Sequence, residues 1–158
     1  MTNKLLIVFV SCIGMMLFSC GGDRVFEEYH GMESKSWLIT DTVSFYLSPT
    51  KYNTTALVSI KYNSDYAYRN LYVKYILTDT LNNNIESQLV NIRLFDGQSG
   101  KPTGKGYGST YTRMDTLPLQ INNNYSKVQF IQYMRVDKLE GIEAIGFRQN
   151  KIHNDSSN

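Results

Sequence analysis

Between Tyr66 and Thr78 the chain alternates more strictly than anywhere else: Leu71, Val73, Tyr75 and Leu77 take every second position, interleaved with Tyr66, Tyr68, Asn70, Tyr72 and Lys74. A period of two puts successive side chains on opposite faces of a pleated strand, so this segment needs a second layer to cover its apolar face. Weaker copies of the pattern run through Val43, Phe45 and Leu47, through Ala56, Val58, Ile60 and Tyr62, and through Val90, Ile92 and Leu94. Further strands are expected near 109–117, from Tyr125 to Arg135 and over 142–149, with one short helical turn from Val136 to Gly141. Turns fall at Asn82-Asn83-Asn84 and Asn122-Asn123-Asn124, because asparagine tolerates the positive φ of tight turns. Twelve Tyr and seven Phe against three Pro favour half-buried strands. The expected fold is all-β, a two-sheet antiparallel β-sandwich, with jelly-roll and Ig-like strand orders both open.

Ahead of this region Lys4 precedes an apolar run that closes on Leu17-Phe18-Ser19-Cys20. One cation, a short apolar stretch and a small residue before the end have the layout of a secretory signal. Its last four residues resemble a lipobox, in which the preceding peptide is cut away and the cysteine carries lipid. A spanning helix needs about 20 apolar residues, whereas this run is shorter and holds Ser11, Cys12 and Gly14. Residues 1–19 are therefore expected to be a lipoprotein signal peptide, with Cys20 the lipidation site. Each buried acyl methylene contributes about 0.8 kcal/mol, so several chains hold a protein on a membrane durably. The polar stretch 20–36, opening Gly21-Gly22-Asp23, is expected to be a flexible tether, 37–150 the β-sandwich domain and 151–158 a flexible tail.

With Cys12 in the leader and Cys20 on the lipid, no thiol pair remains for a disulfide, and packing alone must hold the fold. Losing Lys4 leaves 15 basic against 14 acidic residues, without a basic run. Nucleic acid is an unsuitable partner for such a surface, since phosphate binding needs concentrated Lys and Arg. Convergent titratable groups are also scarce. His30 and His153 are the two histidines, one in the expected tether and one in the tail. Metal-ligand spacings and a nucleophile elbow are absent from the sequence, and Asp65, Asp79, Asp96 and Asp115 fall mostly at turn positions. The reading is a non-enzyme without metal, cofactor or small-molecule substrate. A paired-carboxylate glycosidase stays open as the catalytic alternative, because its two acids need only meet in space.

The stretch from Asp96 to Gly108 departs from a phosphate loop, since Lys105 is followed by Gly106 and then by strand-like residues. It is expected to be a long loop needing positive φ at several glycines, with a partner contact as its second use. If Leu71, Val73, Tyr75 and Leu77 face the core, Tyr66, Tyr68 and Tyr72 share the opposite face. Together with Tyr107 they are the candidate partner contacts, because aromatic rings offer large area at small entropic cost.

The segments Gly104-Lys-Gly-Tyr-Gly108, Phe130-Ile-Gln-Tyr-Met-Arg135, Leu139-Glu-Gly-Ile142 and Ile145-Gly-Phe-Arg148, with the lipobox and Trp37, resemble the GldH family of gliding motility lipoproteins from the Bacteroidetes. The resemblance implies an outer-membrane-anchored component of gliding machinery, linked to the associated secretion system, with no catalysis known for the family. The membrane and other envelope or motility proteins are then the expected partners, and the periplasmic face of the outer membrane is favoured over the cell surface. Thr42, Thr80 and Thr116 each follow Asp and precede an apolar residue, a pattern that resembles the O-glycosylation acceptor of exported proteins in these bacteria. The functional expectation is a non-catalytic assembly or scaffold subunit. Its alternative is a surface carbohydrate-binding or adhesion lipoprotein, which would line one concave face with two or more aromatic rings, whereas a scaffold would show a flat apolar patch.

Overall fold

The computed structural model describes residues 22–119 and 125–152. Leu71, Val73, Tyr75 and Leu77 all turn inward from β5 (Asn70–Thr78) and are fully buried, as the alternation requires. β5 sits inside a four-stranded sheet, between β6 (Asn84–Arg93) and β9 (Lys127–Gln132), and β3 (Val43–Tyr46) lies beyond β9. The facing sheet has five strands in the order β1 (Arg24–Gly31), β11 (Ile142–Lys151), β4 (Thr54–Asn63), β8 (Thr110–Thr116) and β7 (Lys105–Tyr107). A two-stranded ribbon joins β2 (Ser36–Leu38) to β10 (Lys138–Glu140). Every pairing is antiparallel. The chain is an all-β sandwich.

Aromatic rings bridge the two sheets. Phe147 of β11 lies 6.0 Å from Phe45 and 6.2 Å from Phe130, which belong to the opposite sheet and stand 6.0 Å from each other. Burying each ring contributes roughly 1.5–3 kcal/mol, and each well-oriented aromatic pair about 0.5–1.5 kcal/mol more. A second tie runs through Tyr62 of β4, whose hydroxyl donates to the Leu94 carbonyl at 2.6 Å and accepts from the Gly104 amide at 3.1 Å. Trp37 is buried whole and its Nε1 donates to the Asp41 carbonyl at 2.9 Å, which fixes the chain entering β3.

Four sequence expectations change here. The stretch assigned to a tether is structured from Arg24 onward, because β1 pairs with β11 from Arg24↔Asn150 to Gly31↔Ala144 and buries part of Phe26 against Phe147. The sandwich therefore begins at Arg24, ahead of residue 37. The helical turn expected over 136–141 is instead β10 followed by Gly141, whose φ of +81° and approach to Tyr66 leave no room for a Cβ, which would sit 2.3 Å from the Tyr66 nitrogen. The strand expected from Tyr66 begins only at Asn70, because Tyr66 N–H bonds back to the Asn63 carbonyl and makes a turn there. Lys151, placed in the tail, is the last residue of β11, and Ile152 N–H bonds the Asn53 carbonyl. The rest of the expected tail, the expected turn at 122–124, and residues 1–19 lie outside the described residues.

Candidate contact surface

The alternation that buries one face of β5 also fixes what its sheet shows to solvent. Lys74 stands opposite Leu89 and Ile131, Ile76 opposite Ser87 and Gln129, and Tyr72 opposite Asn91. Leu89 is 51 % exposed and Tyr72 40 %. Tyr133, just past β9, is 57 % exposed and is held beside Tyr72 by its N–H, which donates to the Tyr72 carbonyl at 2.8 Å. The charged outward positions on this sheet are Lys74, Arg93 and Lys127; Glu86 lies on the inward side, where it accepts from the Tyr75 hydroxyl at 2.5 Å. The face is partly apolar and basic.

The outer face of the five-stranded sheet has its charges answered within the chain. Tyr29 lies over Gly146, so closely that a Cβ there would come within 2.5 Å of the ring. Glu27 pairs with Arg24 and stands opposite Arg148 in register. Glu143 gathers Lys35 at 3.5 Å, Lys61 at 3.6 Å, and hydrogen bonds from Asn63 and Thr110 at 3.3 Å. Burial pushes the Glu143 carboxyl up, but the Asn63 hydrogen bond and the two lysines outweigh it, leaving the group below its ordinary value of 4.5.

The four candidate tyrosines do not form one row. Tyr66 is 4 % exposed, stacks on Phe95 and gives its hydroxyl to the Asn70 carbonyl at 2.8 Å. Its expected place on the open face is thus corrected, because the turn at Asn63 reverses the side from which its ring leaves the chain. Burial pushes its phenol well up. Tyr68 is exposed in the loop before β5, Tyr72 on β5, and Tyr107 is 96 % exposed on β7. Thr42, Thr80 and Thr116 are all exposed, and Cys20 and His153 lie outside the described residues. His30 is exposed on β1.

The glycine-rich stretch is less of a loop than expected. It contains β7, and Gly100 and Gly108 do take positive φ. Its first turn is built on Asp96, whose carboxylate accepts from the Ser99 amide and hydroxyl and the Gln98 amide, holding its pKa down to about 2. Gln132 also finds its partners. Its amide donates to the Val136 carbonyl at 2.7 Å and accepts from the Met134 amide at 2.9 Å, tying down the loop that presents Tyr133.

One arrangement the sequence did not signal is a polar cavity of about 410 Å³ lined by Asn70, Asn91, Arg93, Thr103, Arg113 and Asp115, with Asp96 at its margin. It opens between the edge of β6 and the free part of β8, where Arg113 and Asp115 face inward opposite Ile60 and Val58. Among the described residues no group of three His, Cys, Asp or Glu side chains could hold a metal ion.

These features define an all-β sandwich with opposed charges paired on one outer face and unanswered cations beside exposed apolar side chains on the other. The family model for the GldH lipoprotein matches residues 24–148, beginning at the first residue of β1. A protein from Flavobacterium johnsoniae, "Gliding motility lipoprotein GldH", is 29 % identical over 150 residues, spanning 85 % of this chain and 89 % of that protein. The chain belongs to the GldH lipoprotein family.

Proposed function

We propose that this chain is a lipid-anchored, non-catalytic subunit of an envelope assembly connected with gliding motility or its linked secretion machinery. Acyl chains on Cys20 would hold it on the outer membrane, with the domain on the periplasmic side, after removal of residues 1–19. The observation that carries the contact role is the open face of the four-stranded sheet, where Tyr72, Leu89 and Tyr133 stand exposed together. Contiguous apolar area of this kind on a soluble domain is a mark of protein contact. The carbohydrate-binding reading shares this face, since Tyr72 and Tyr133 stand exposed side by side there and Tyr46 is exposed on the same sheet, and a sugar that bound the purified chain in place of envelope partners would favour it. The exposure of Thr42, Thr80 and Thr116 supports O-glycosylation at these positions, and an intact mass of the native protein without added sugar would remove that part.

Purification from mild-detergent extracts of membranes is the test. Recovery with stoichiometric envelope partners is expected, and recovery of the protein alone would overturn the assembly reading.

A further inference from the structure

Two long strands end their sheets, and they are protected differently. β1 carries Arg24, Glu27, Glu28 and His30 along eight residues. β6 runs for ten residues with Glu86 and Arg93 near its ends, no charge from Ser87 to Ile92, and no proline. The other two edge strands, β3 and β7, are only four and three residues long. An uncovered edge presents a row of unpaired N–H and C=O groups, which proteins usually blunt by shortness, charge, proline or a covering segment. Among the described residues β6 has none of these over its middle.

Beside that edge lies the polar cavity. Arg113 gives one guanidinium nitrogen to Asp115 at 2.6 Å, while its Nε is buried without a partner among the described residues. Asn70 Oδ1 is likewise buried and unpartnered there. Asp115 and Asp96 are already occupied by Arg113 and by the turn at Ser99, whereas Arg93 makes no ion pair among the described residues. With Lys74 and Lys127, Arg93 gives the open face its positive sign.

We propose that β6 receives an extended segment of a partner protein as an added strand, with an acidic side chain of that segment held by Arg93 at the mouth of the polar cavity. The proposal rests on the assembly reading and names the kind of partner that reading requires. Strand addition gains affinity from main-chain hydrogen bonds and specificity from alternate side chains. An anionic lipid surface would meet the same cations but offers no row of alternating N–H and C=O groups.

The test presents a library of displayed random peptides to the full chain in detergent. Enrichment of peptides with alternating apolar residues and an Asp or Glu is expected. Arg93→Gln should weaken their binding about tenfold, the loss of one charge-assisted hydrogen bond. N-methylation of alternate peptide amides, which leaves the protein untouched, should abolish it. Three results overturn the proposal: no enriched peptide, enriched peptides indifferent to both changes, or Arg93-dependent binding to phosphatidylglycerol vesicles in place of peptides. A chain that keeps its envelope partners in the co-purification while failing here loses the edge proposal alone.

Discussion

The two outer faces of the sandwich are made by the same alternation and finished in opposite ways. On the five-stranded sheet, Tyr29 covers Gly146, and Glu143 draws Lys35 and Lys61 across the surface, so opposed charges meet within the chain. On the four-stranded sheet, Lys74 stands between Leu89 and Ile131 with no carboxylate at the outward positions to answer it. A β-sandwich needs only its inner faces to fold, so the outer faces are free to differ by use. On the function proposed above, one face is a finished surface and the other is completed by a partner.

Mutations can sharpen or break this contrast, beginning with the core that both faces share. Phe130→Ala removes a ring that contacts Phe45 and Phe147, and should cost about 3–5 kcal/mol in urea unfolding. A loss under 1 kcal/mol would mean that the sheets do not pack through these rings. Gln132→Leu leaves the Met134 amide and the Val136 carbonyl without their partner. It should cost roughly 1–3 kcal/mol and loosen Tyr133, seen as faster amide exchange over 133–136 with exchange on β1 unchanged.

Glu143→Gln acts on the charge-paired face and should cost about 0.5–1 kcal/mol near neutral pH, because both lysine partners are half exposed and solvent screens them. Its pH dependence has a fixed sign. The folded carboxyl lies below its ordinary value of 4.5, so the charged form stabilises the native state above that value, and the contribution disappears as pH falls through the lower folded value. The wild type should therefore lose more stability than Glu143→Gln on acidification below 4.5, as followed by urea midpoints. The smallest stability effect belongs to the open face: Tyr72→Ser with Leu89→Ser should stay within about 0.5 kcal/mol of wild type, while the co-purifying envelope proteins are lost. A large destabilisation would show that this face serves folding instead.

Much of the sandwich was legible because apolar residues take every second position on β5 and, less strictly, on β3, β4 and β6. β1 was not, since Glu28 and His30 occupy positions opposite Phe147 and Ile145 on the inward side of an edge strand that is only half covered. Its composition therefore looks like a linker. β2, β7 and β10 are each three residues long, too short for a period to register. The partner of Gln132 was not legible, because it depends on the bend at Arg135, where φ is +58°. The tyrosine row was half legible: Tyr72 obeys the strand, and Tyr66 escapes it at a turn set by Asn63. Arg113 and Asp115 gave no signal, because alternation marks a face as buried only when its residues are apolar.

Photo-crosslinking in living cells tests the contrast most directly. A photoreactive side chain placed at residue 72 or 89 should yield a discrete crosslinked envelope protein, while the same side chain at 61 or 148 on the opposite sheet should yield none. Equal products from both faces, or products only from 61 and 148, would contradict it.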